Sequence, residues 1–587
     1  MNRTGKAFAA VLGVSLAASL VATGIAQADP SGTPTYRALV VQGSDTVQAV
    51  ENGMSSVIKN SSGNYHYEGL LYANTAAGAT SIQTSLLPTA GDVLKIEAAT
   101  QTGTVLAAPA PTTTTFDANF VTAVPRVGDT LTIGGATTVI TSETINSLTD
   151  VALVVAPALA AAPTAGTAIT GHQQETVTVA ASPAITPAVA SSGVGNTATP
   201  YNVVPLTTAT QFPHSANAVI IDTTTVPAAT DLVFGSFDAV GGAFQSKANA
   251  NCKYIANNAN STQYSGITQN GVQYTSNGGA PSGTTVNQPN SGFVQGGRGN
   301  GSGTGAKVLN DALTSTSGDW GCTDLSRASS SQGVAAAGAK GAVNIPFALD
   351  GITFGVTTTS NYPRTLTWAQ LNAIYSCTYP GEVNSTNTTA ANITAAGSLQ
   401  AWANSQGLLY AEMPQAGSGT RSFVEGALGL TDAQILANIC VTSTKADGTT
   451  LEEHDLRYVD DNSIAPISIA QSISQRASAV AGVTDKQGRT VLVSLDGTTG
   501  TAGAGASNGI LQYPVVMQSS FGGALSTVSA GRFWREVYNI IPAQRLDDPN
   551  FKQLLVGSTS DFCNNNATLA LYGFAADPNC GSISTIK

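Results

Sequence analysis

Three short segments pair glycine with hydroxyl residues: Gly43-Ser44-Asp45-Thr46, Gly301-Ser302-Gly303-Thr304-Gly305 and Gly417-Ser418-Gly419-Thr420-Arg421. Apolar residues follow each at helical spacing: Val47, Val50, Met54 and Val57; Val308, Leu309, Ala312 and Leu313; and Phe423, Ala427 and Leu428. Each segment should therefore open a helix, where unpaired backbone N–H groups and hydroxyls sit at the positive end of the helix dipole. One such loop is explained by ordinary capping, since glycine and serine are common turn and N-cap residues. Three that converge would make a cradle built entirely of donors, suited to a tetrahedral oxyanion. No lysine follows the glycines of the third segment, so it is not the nucleotide-binding P-loop.

Other chemistry is thinly represented. The four histidines, His66, His172, His214 and His454, are scattered and form no HxH or HExxH pattern, and the loop serines have no histidine nearby in sequence. Glu452-Glu453-His454-Asp455 reads as a solvated turn. We expect no enzyme activity, no metal and no cofactor. The six cysteines, Cys252, Cys322, Cys377, Cys440, Cys563 and Cys580, contain no CxxC, which argues against zinc and c-type haem. Three disulfides are expected, paired by proximity as Cys252–Cys322, Cys377–Cys440 and Cys563–Cys580.

The elements that must position the loops lie on a long, sparsely charged chain. Arg3 and Lys6 precede an uncharged apolar run, and Ala26-Gln27-Ala28 offers a small-residue cleavage site, so residues 1–28 read as a secretory leader. The expected product is secreted or associated with the cell envelope. Charged residues make up 10% of the chain, against about 25% in ordinary globular proteins. Loss of Arg3 and Lys6 moves the formal net charge from −11 to −13, which excludes a nucleic-acid partner of the usual basic kind. A small anion is still admissible where backbone donors, not net charge, make the site.

With 587 residues, more than one domain is expected. Ala38–Val41 reads as a buried strand leading into the first loop. Residues 73–229 are rich in Thr, Ala, Val and Pro and show alternation in place of helical periodicity. GDVLKIE, GDTLTIG and GTAIT begin at Gly91, Gly128 and Gly166, 37 and 38 residues apart, which suggests a module of repeated β hairpins. A disordered Thr/Pro linker is the alternative, against which the Val/Ile/Leu alternation argues. An α/β pattern resumes near Asp231, and the polar stretch 257–299 reads as a surface loop.

The chain resembles the phosphate-binding proteins of bacterial ABC transporters, in particular actinobacterial secreted members. The resemblance rests on the three loops, on Thr323-Asp324-Leu325-Ser326-Arg327-Ala328-Ser329, and on Ile345–Ile352, which looks like that family's crossover strand. Thr365–Tyr375, Ser463–Gln471 and Arg535–Pro542 add to it. It implies a type II periplasmic-binding fold, two α/β lobes around a ligand cleft, here with an inserted all-β module. Lobe one would be 29–72 and 230–344, the module 73–229, lobe two 345–505, and 506–587 would return to lobe one. The implied ligand is phosphate or a similar oxyanion, with an ABC permease or an envelope component as partner.

The implied ligand set is Ser44, Asp45, Thr46, Ser302, Thr304, Arg327, Ser329, Ser418, Gly419, Thr420 and Arg421. Two departures stand out: Pro414-Gln415 where well-known members carry arginine, and Ser329 where they carry aspartate. Asp45 is then either the acidic ligand residue or a helix cap. Arg327 is either a ligand or a structural pair, and Arg421 either reaches the ligand or points to solvent. A surface or secreted structural, adhesive protein using the same lobes as scaffold is the alternative function.

Overall fold

The computed structural model describes residues 39–96, 102–120, 130–171, 175–187, 202–236, 301–309, 323–332, 342–476, 483–496 and 533–586, with gaps of one to four residues, plus 268–269 and 272–273. The leader, Cys252, Cys322, Thr304 and nearly all of 257–299 lie outside the described residues.

Leu39–Gly43 is a wholly buried strand with parallel neighbours on both sides, Phe234–Ser236 and Leu325–Ala328. A helix, Gln48–Val57, follows and packs Val50 and Met54 into the first core. Val57 departs from the expected stripe. It is 52% exposed, because the helix ends there and Ile58 takes the inward position.

Leu325–Ala328 pairs antiparallel with Trp534–Pro542, which in turn pairs with Ala342–Thr357. The last strand has 16 buried residues, roughly 50 Å at about 3.3 Å per residue. That length lets it enter two cores. Val343, Ile345 and Phe347 belong to the first, and Ile352, Phe354 and Val356 to the second. Beyond it the sheet continues through Ser463–Ser468, Tyr410–Glu412 and Val441–Thr442. The result is the expected pair of α/β lobes joined by crossing strands.

Local signals explain the second lobe. Thr367 caps the helix Trp368–Tyr375 in a capping box with Gln370. Cys377–Cys440 and Cys563–Cys580 form as the proximity argument expected.

The described residues of the Thr/Ala-rich stretch form β structure. It has two cores, one inside the other in sequence. The inner unit is a closed barrel of Thr102–Val105, Thr115–Phe120, Thr130–Ile133, Ala136–Ile145, Asp150–Ala156 and Ala168–Gly171. The outer unit pairs Val93–Ile96 with Glu175–Thr178 and with Val219–Asp222, which also pairs with Tyr67–Leu70. Pairing thus starts at Tyr67, a few residues before the composition changes. The repeated fragments each lead into a strand. Two of those strands are adjacent in the barrel, and the first, Val93–Ile96, lies in the outer sheet.

Ile96 stands directly opposite Glu175, so the barrel leaves and rejoins the outer sheet at one point. Replacing residues 97–174 by Asn-Gly should close a two-residue hairpin there. Calorimetry should then show loss of the barrel's own transition and a remaining transition within a few degrees of its original temperature. Aggregation of the shortened chain would show that the barrel completes its host's core.

Candidate anion cradle

Ser44 and Ser329 follow the C-terminal ends of two adjacent parallel strands, the usual place for a site in α/β sheets. Ser44 follows the first strand and caps the short 3-10 turn Asp45–Val47, its Oγ accepting the Thr46 N–H at 3.3 Å. Ser329 follows Leu325–Ala328 and donates its N–H to Ser302 Oγ at 2.9 Å. From the second lobe, Ser418 caps the helix Gly419–Leu428 by accepting the Arg421 N–H at 3.1 Å.

The lobes meet at these loops. A Cβ on Gly301, at φ +93°, would strike the Gly417 carbonyl, and one on Gly419 would strike the Ser302 and Ser329 hydroxyls. Only glycine allows so close an approach here. Thr46 Oγ1 lies 3.3 Å from Thr420 Oγ1, and Ser44 Oγ 3.1 Å from Ser329 Oγ.

At the centre sits a carboxylate, that of Glu453. Its Oε1 accepts from Ser44 Oγ at 2.9 Å, Thr46 Oγ1 at 2.7 Å and Thr46 N–H at 3.2 Å, all in lobe one. Its Oε2 accepts from Ser418 Oγ and, at 3.3 Å, from Thr420 N–H, both in lobe two. Five donors from two lobes thus converge on one anionic group. Burial alone would push the Glu453 carboxyl up. The Ser418 bond, the Arg535 charge and the Thr46 and Ser44 hydroxyls outweigh it and hold it below the usual carboxylate range.

Positive charge comes from the crossing strand. Arg535 Nη2 donates to Thr420 Oγ1 at 2.9 Å and to Asp350 Oδ2 at 3.1 Å. Its Nη1 is buried and makes no hydrogen bond among the described residues. Asp350 also accepts from Ser468 Oγ at 2.8 Å and the Ala470 N–H at 3.3 Å.

Of the expected site residues, Ser44, Thr46, Ser418 and Thr420 face Glu453 directly, while Ser302, Ser329 and Gly419 pack behind them. Asp45 lies beside His454, its Oδ2 3.6 Å from Nδ1. Arg327 braces the first loop from below, donating to the Ser44 carbonyl at 2.9 Å, Ser236 Oγ at 3.0 Å and Gln48 Oε1 at 3.2 Å. Arg421 serves lobe two, bonding Glu425 at 2.9 Å, Asp432 at 2.5 Å, Ser443 at 2.9 Å and the Pro414 carbonyl at 3.2 Å.

Glu453 and Arg535 are the residues that the sequence reading missed. The Glu452–Asp455 run is not a solvated turn: Glu453 is buried among donors from both lobes, and Asp455 is buried with Arg457 as its ion-pair partner. A signal was present. Four ionisable residues in a row are conspicuous in a chain so poor in charge.

Asp45, Glu452 and His454 bring ligand atoms within 4.8 Å of one another, which a metal could use. The Lys486 ammonium already stands 2.9 Å from His454 Nε2 and supplies a cation there.

No protein-family model matches the chain, and no curated protein matches it. Several solved structures are similar to it. A putative phosphate ABC transporter substrate-binding protein with bound phosphate from Clostridium perfringens is 15% identical, covering 47% of this chain and 86% of its own, at TM-score 0.27. An ABC-type phosphate transport receptor from Vibrio cholerae is 14% identical, covering 46% and 84%, at 0.23. A human phosphate-binding apolipoprotein is 14% identical, covering 48% and 85%, at 0.27. At such scores these likenesses carry no weight beside the geometry of the cradle.

Proposed function

We propose that this chain is an exported binding protein for a small oxyanion, with inorganic phosphate as the ligand that fits best. The observation behind it is the convergence of five donors from both lobes on one carboxylate, in a cradle with a buried guanidinium behind it. In this reading Ser44, Thr46, Ser418 and Thr420 contact the anion, Ser302 and Ser329 support them, and Arg535 supplies the charge that Pro414 cannot. Fixed donors in a buried site replace the hydration shell of an anion without needing a net positive protein. The two disulfides suit an oxidising compartment, and a permease or envelope partner would receive the anion.

Phosphate titrated into the protein in a calorimeter should bind saturably. Ser418→Ala and Thr46→Ala each remove a hydroxyl donor aimed at the anion position, and each should weaken binding by about 1.5–3 kcal/mol, roughly tenfold or more, the cost of a hydrogen bond to a charged group. The Ser418 change is also to be made together with Glu453→Ala, where no resident carboxylate uses the same hydroxyl. No binding in either background would return the chain to the structural alternative.

A further inference from the structure

The Glu453 carboxylate holds the donors that an incoming oxyanion would need. It is covalently part of lobe two, yet one of its oxygens is bound wholly by lobe one. We infer that Glu453 is a built-in ligand of the cradle, closing the two lobes on each other and competing with any external anion. This rests on the oxyanion reading and adds how that site is controlled.

The arrangement is specific to an anion. Ser44, Thr46 and Ser418 spend their hydroxyl protons on this one group, and the Thr420 and Thr46 amides aim at it as well. A tethered group competes at an effective concentration in the millimolar range or above, so a free anion meets a site already filled. The apparent affinity falls by the fraction of molecules whose cradle is vacant, so a tenth vacant costs about tenfold. A resident carboxylate also removes the need for a ligand to bring the lobes together.

The test uses the full secreted chain, inorganic phosphate and two variants, Glu453→Ala and Glu453→Gln. The amide keeps the shape and presents N–H donors to a lobe of donors, so it should also leave the cradle. Both variants should bind phosphate at least tenfold more tightly than wild type in calorimetry. In small-angle scattering they should be more expanded than wild type without phosphate and compact again with it. The wild type should keep one scattering radius with and without phosphate, because its lobes are already closed.

Equal phosphate affinity in wild type and both variants would overturn the inference and leave the oxyanion reading intact. Weaker binding in the variants would make Glu453 a ligand contact and also overturn it. A wild type that compacts on phosphate addition would overturn it without any variant. No binding by any of the three proteins would remove the oxyanion reading itself.

Discussion

Arg545→Ala should be the most damaging single substitution in the described residues, costing about 3–5 kcal/mol, the usual result of removing one member of a buried ionic cluster. Arg545 is 2% exposed and donates to Asp324 at 2.9 Å, to Asp548 at 2.6 Å and to Glu68. Its guanidinium also lies over the Phe551 ring at 4.4 Å. The three acids come from different parts of the molecule. Glu68 is on the first strand of the β module, Asp324 accepts the Val40 N–H of the central sheet at 2.9 Å, and Asp548 caps the helix Pro549–Leu555. Without the arginine, three buried carboxylates face one another. At about 2–4 °C per kcal/mol, the melting temperature should fall by roughly 10 °C. Arg545→Lys should recover only part of it, because one ammonium cannot fork to three acids. Scanning calorimetry checks both.

Arg535→Met is the second large effect, expected to cost about 3 kcal/mol or more and to abolish phosphate binding. Asp350 and Arg535 are direct partners across the two crossing strands, and both are buried. Burial raises the Asp350 carboxyl above its ordinary value, and Arg535 is the main influence pulling it back. Removing Arg535 raises it further. A carboxyl raised in the folded state binds its proton more tightly there than in the unfolded chain. The variant should therefore be most stable below about pH 4, the unfolded value, and lose stability as pH rises through the folded one. Asp350→Asn in the same background should flatten that slope. Urea unfolding between pH 4 and pH 8 measures it, and a parallel slope in wild type and variant would assign the cost elsewhere.

What could be read from the sequence was what is locally encoded. Glycine and hydroxyl residues before an apolar stripe mark a helix start whatever surrounds it, so Ser44 and Ser418 were found together with their capping roles. The alternation within residues 73–229 marked strands for the same reason, and Cys377–Cys440 and Cys563–Cys580 did pair. The charges were harder. Arg421 adjoins a donor loop in sequence, yet its side chain leaves along the helix toward Glu425 and Asp432. Arg327 sits at the end of a strand beside the site, but it points under the loop to Gln48 and Ser236. Arg535 reaches Thr420, 115 positions away in sequence, only through a strand register that sets it opposite Asp350. Glu453 takes its place in the cradle through partners as far as 409 positions away. The charge run marks Glu453 as unusual, but its role and that of Arg535 are set by tertiary contacts alone.

The order of the chain in the central sheet also has a consequence for synthesis and export. The first strand finds its partners near residues 234 and 325, and that second partner then waits for residues 538–540. Ser44 meets Glu453 across 409 positions. The barrel, by contrast, closes within residues 102–171. Contacts between distant positions form late, because a long segment must first be confined. The barrel should therefore be finished while the first strand is still unpaired, and lobe one should remain open until the carboxyl-terminal strand emerges. The cradle is the last part of the molecule to be assembled, and a chain cut short before residue 534 would carry every donor loop without a sheet to hold them together.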